Sequence, residues 1–74
     1  MTLREFKKGD EVEIVKISGT GSLKTRLLDM GAVPGTKVRI ERVAPLGDPI
    51  EISIKGYHLS LRKTEAEQII VKEV

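Results

Sequence analysis

Apolar and polar residues alternate with a period of two through most of this chain. From residue 11 the run EVEIVKI puts Val12 and Ile14 on one face of a strand and Val15 and Ile17 on the other. The phase slips once, as it does at a bulge or strong bend. Residues 37–44 repeat the behaviour: Val38 and Ile40 share a face and Val43 takes the opposite one. Two bent strands predict a curled sheet. In residues 50–62, Ile50, Ile52 and Ile54 alternate with Glu51, Ser53 and Lys55, Gly56 interrupts, and Leu59 and Leu61 resume. This pattern predicts a hairpin. With Gly56 and Tyr57 as the central residues of a type II′ turn, Lys55 pairs with His58, Ile54 with Leu59, Ser53 with Ser60, Ile52 with Leu61 and Glu51 with Arg62. The closing IIVKEV reads as a fifth strand with Ile69 and Val71 on one face.

Two short helices interrupt the strands. In residues 22–30, Leu23, Leu27 and Met30 fall at i, i+4 and i+7 on one stripe, and Gly31 stands where a helix takes its left-handed stop. Leu28 lies off that stripe. Thr64 followed by Glu67 fits a capping box for a turn or two of helix before the last strand. The expected architecture is mainly β: a small barrel of about five strands with one or two short helices, filling residues 1–74 as a single domain.

Composition narrows the chemistry. Leu, Ile and Val together supply 22 of 74 residues, enough for a core without Cys or Trp. Thirteen basic against eleven acidic residues leave a net charge of +2, unlike a polyanion-binding tail. The longest run free of charge is seven residues, far from the roughly 20 that a membrane helix needs. Arg4, Glu5, Lys7 and Lys8 occupy the place of a signal peptide's apolar segment, so a cytoplasmic domain is expected.

Without cysteine there is no thiolate ligand, no thiol nucleophile and no disulfide. The single histidine, His58, alternates with Tyr57 and Leu59 and is expected to point outward, with neither an acid to orient it nor a nucleophile to serve. Asp48, Glu51 and His58 would make an incomplete transition-metal shell. Gly19-Thr20-Gly21-Ser22 lacks the third glycine of a dinucleotide fingerprint and the closing Gly-Lys-Ser/Thr of a P-loop, and reads as a turn and cap. No catalytic residue, cofactor or metal site is expected.

Binding is the remaining class. Residues 16–42 carry six basic residues (Lys16, Lys24, Arg26, Lys37, Arg39 and Arg42) against Asp29 and Glu41, a local balance of +4 that suits nucleic acid. Only Phe6 and Tyr57 are aromatic, however, so base stacking has at most one provider. Protein contact fits better. With the stripe of the first helix buried, its other face offers Lys24, Arg26 and Leu28 as candidate partner-binding residues, an edge strand being the alternative surface.

The segments Arg26-Leu27-Leu28-Asp29-Met30-Gly31, Pro34-Gly35-Thr36, Ala44-Pro45-Leu46-Gly47-Asp48-Pro49 and Gly56-Tyr57 leading to Leu59-Ser60-Leu61-Arg62 strongly resemble the FeoA family of ferrous iron uptake proteins. The resemblance implies an SH3-like β-barrel and a cytoplasmic, noncatalytic accessory role in contact with FeoB, the membrane iron transporter. Lys8-Gly9-Asp10-Glu11-Val12 with Ile17-Ser18-Gly19 is similar to the shorter KOW motif of RNA-binding barrels, which implies RNA as the alternative partner.

Overall fold

The computed structural model describes residues 1–19 and 21–74; Thr20, within the expected turn at the first helix, lies outside them. Five strands form one antiparallel sheet: β1 (Glu11–Ile17), β2 (Lys37–Val43), β3 (Ile50–Ile54), β4 (Tyr57–Leu61) and β5 (Ile69–Glu73), in the spatial order β4-β3-β2-β1-β5. Helix α1 (Ser22–Asp29) links β1 to β2, and α2 (Lys63–Ala66) links β4 to β5. The inner face of the curled sheet closes on Val12, Ile14, Val38, Ile40, Ile52, Ile54 and Val71, each at most 2% exposed. Removing that much aliphatic surface from water is the main force holding the fold.

The two phase slips are β-bulges. Between Ile14 and Lys16 the pairing of β1 with β5 shifts register, which leaves Val15 half exposed and returns Ile17 to the core. The expectation that Val15 and Ile17 share the outer face is thereby corrected, because the extra residue restores the original face instead of reversing it. In β2 the shift falls between Ile40 and Arg42, and Val43 packs against the core.

The hairpin differs from the expected register by two residues. The turn is Lys55-Gly56, with φ of 47° and 83°, and the pairs are Ile50 with Leu61, Glu51 with Ser60, Ile52 with Leu59, Ser53 with His58 and Ile54 with Tyr57. Positive φ at both central residues is the type I′ requirement, whose twist matches the flanking strands. A slip of two preserves every face, so the apolar pattern satisfies both registers and only the turn separates them. Glu51 therefore meets Arg42 of β2, with Oε2 4.0 Å from Nη1, rather than Arg62.

Helix α2 starts two residues earlier than the capping box at Thr64 requires. Its N-cap is Arg62, whose amide donates to Glu65 Oε1 at 2.8 Å, and Thr64 falls inside the helix. An element unexpected from the pattern opens the chain: a 3₁₀ turn, Leu3–Glu5, buries Leu3 completely and lays Met1 and Thr2 beside β5. Val71 N donates to Met1 O at 2.8 Å, and Thr2 bridges to Ile70.

Candidate functional site

Helix α1 is the element from which the candidate partner-binding residues project. It begins after Gly21, which is extended and provides no capping side chain, and it stops at Gly31, where φ is +82°. Leu23 and Leu27 are buried at 4% and 1%, whereas Leu28 is 44% exposed. At 100° per residue, Lys24 and Leu28 lie close together on one flank of the buried stripe and Arg26 lies on the other. The three expected residues are thus divided between two surfaces.

On the second flank, Arg26 Nη2 lies 3.7 Å from Glu65 Oε2. Glu65 is held from the other side by the Arg62 amide, so its carboxylate spans the start of α2 and the middle of α1. These residues, with Pro49, Ser60 and Leu61, line an open cleft of about 390 Å³. Asp48 closes the nearby loop by accepting from the Lys63 amide at 3.1 Å. The capping pair is Arg62 and Glu65 instead of the expected Thr64 and Glu67, and the three-residue spacing of Arg62 and Glu65 is the signal for it in the sequence. Nothing in the sequence pattern joins Arg26 to them.

His58 is exposed on β4, opposite Ser53. Among the described residues no three His, Cys, Asp or Glu side chains gather closely enough to hold a metal ion. The basic residues do not form a continuous unpaired stripe either, since Arg26 faces Glu65 and Arg42 faces Glu51. What the surface offers is a half-exposed leucine beside a lysine, and a separate cleft with two guanidinium groups.

The FeoA domain model matches residues 1–73. The chain belongs to the FeoA family. A Porphyromonas gingivalis fusion of Fe(2+) transport protein A with the Fe(2+) transporter FeoB is 39% identical over 72 residues, covering 97% of this chain; the chain spans 8% of that relative's length. The solution structure of FeoA from Chlorobium tepidum superposes with a TM-score of 0.91 at 42% identity, covering all of this chain and 70% of that one. The crystal structure of FeoA from Stenotrophomonas maltophilia, a prokaryotic SH3 domain protein complexed with zinc, gives a TM-score of 0.85 at 25% identity over 97% of this chain and 89% of that one. This FeoA domain therefore has the five-stranded architecture expected from its alternation and the SH3-like fold implied by the family resemblance.

Proposed function

We propose that this FeoA domain is a noncatalytic accessory module of ferrous iron uptake that works in the cytoplasm by contact with the FeoB transporter. The observation that carries the reading is the Porphyromonas gingivalis fusion, in which a 39% identical segment shares one polypeptide with FeoB. A covalent link makes contact effectively intramolecular, and separate chains reach the same arrangement through a complementary surface. No helix of the described residues is long and apolar enough to cross a membrane, so the transporter would supply the membrane passage.

Leu28 is the proposed anchor and Lys24 its charged rim. An apolar side chain 44% exposed beside a cation suits the centre-and-rim arrangement of a protein interface. Arg26 contributes from the opposite flank, where Glu65 orients it. The test is capture of detergent-solubilised FeoB by the tagged domain, compared with a salt series of RNA gel shifts on the same variants. Leu28→Glu is expected to weaken capture by roughly tenfold or more, and Lys24→Gln to slow association and reduce its salt dependence. RNA binding that falls steeply with salt and ignores Leu28, with no capture of FeoB, would overturn the reading.

A further inference from the structure

The two edges of the sheet are finished differently. Strand β5 is covered, because Met1 accepts from the Val71 amide and Thr2 bridges to Ile70. Strand β4 pairs only with β3 among the described residues. In a two-residue hairpin the residues flanking the turn exchange backbone hydrogen bonds, here Ile54 with Tyr57, and every second pair repeats this exchange. The amides and carbonyls of Tyr57, Leu59 and Leu61 therefore face β3, while those of His58 and Ser60 face away. Both residues are exposed, and neither backbone makes a hydrogen bond to another element among the described residues. The usual protections of an edge are missing: YHLSL contains no proline or lysine, and its register with β3 is unbroken. One end of this bare edge runs into the cleft lined by Arg26, Ser60, Arg62 and Glu65.

We propose that the outer edge of β4 receives an extended acidic segment of a partner protein, which adds as a strand along His58 and Ser60 and seats a carboxylate between Arg26 and Arg62. Backbone pairing would supply sequence-independent affinity, and the two guanidinium groups would select for a carboxylate, which they can hold bidentately. Glu65 leaves the cleft with a balance of one positive charge and is itself occupied by the Arg62 amide and Arg26. A second copy of this chain is a poor occupant: paired antiparallel with His58 opposite Ser60, it would bring the turn at Lys55 of one copy towards the start of α2 at Lys63 of the other, like charge against like. The proposal rests on reading the domain as a contact module and is independent of which protein carries the segment.

The test is a nuclear magnetic resonance titration of the labelled chain with the blocked peptide Thr-Val-Glu-Val-Glu-Thr-Val and its glutamine counterpart. At about 1 mM peptide the His58 and Ser60 amides are expected to shift and to exchange with solvent several-fold more slowly. The glutamine peptide should bind roughly tenfold more weakly, and R26Q/R62Q should abolish that preference. Ser60→Pro removes an outward-facing donor without breaking the β3 ladder and should abolish binding. Should that variant unfold by circular dichroism, protection of the wild-type amides decides the matter. Unchanged amides, equal binding of the two peptides, self-association as the only event, or the same shifts with inorganic phosphate alone would each overturn the proposal. Loss of FeoB capture with peptide binding intact would sink the transporter reading and leave this site standing.

Discussion

Glu65 caps the helix that Arg62 begins: the Arg62 amide donates to its Oε1 at 2.8 Å while its Oε2 faces Arg26. One carboxylate thus satisfies an amide left unpaired by the helix and ties α2 to α1. Glu65→Ala is expected to lower stability by roughly 0.5–2 kcal/mol, the usual cost of losing a cap, whereas Thr64→Ala should stay within about 0.5 kcal/mol. Urea titrations of the two variants measure this. Equal losses would return the cap to Thr64.

The barrel interior makes a sharper contrast. Ile52 is 1% exposed, whereas its neighbour Ser53 points to the outer face. Ile52→Ala is expected to cost about 2–5 kcal/mol and Ser53→Ala less than about 0.5 kcal/mol, read from denaturant midpoints.

At the hairpin tip both turn residues have positive φ, yet only one is glycine. Lys55→Asn should stabilise the domain by a few tenths of a kcal/mol up to ~1 kcal/mol, because asparagine tolerates the left-handed region better than lysine. Gly56→Val should destabilise it by ~1–2 kcal/mol. Thermal melts that moved the other way would contradict a type I′ turn at this position.

Leu27 and Leu28 are adjacent but belong to different environments, 1% and 44% exposed. Leu28→Glu should retain a native circular dichroism spectrum and a cooperative transition, whereas Leu27→Glu should unfold the domain, since an unpaired charge would enter an apolar core. Loss of structure in both would remove Leu28 from any contact surface.

Strand existence was legible wherever aliphatics alternate, because one face of every strand must enter a single core. Register was less legible: Ile50, Ile52 and Ile54 fit Leu59 and Leu61 equally well in pairings two residues apart. The backbone preference of Lys55-Gly56 makes the choice, and a lysine at positive φ gives little warning of it. Bulges at Val15 and Glu41 were visible as phase slips, but their effect on Ile17 was not, since a slip alone does not tell whether the chain reverses faces or skips a residue. For the candidate site, the exposure of Leu28 followed from helical spacing. The meeting of Arg26 with Glu65 depends on how two helices separated by the 33 residues 30–62 settle on the barrel, and no local pattern encodes that.

The stitch between Met1 and Val71 brings the two ends of the polypeptide to the same place, beside β5. The backbone nearly closes on itself, so a short bridge from the end of β5 back to residue 1 would cross little distance. A circular permutant joined there and opened at the exposed Leu46 should recover the same fold, its rearranged order costing little beyond the new loop. By the same geometry, a longer polypeptide containing this barrel would enter and leave it beside β5, as a thread does a pendant bead.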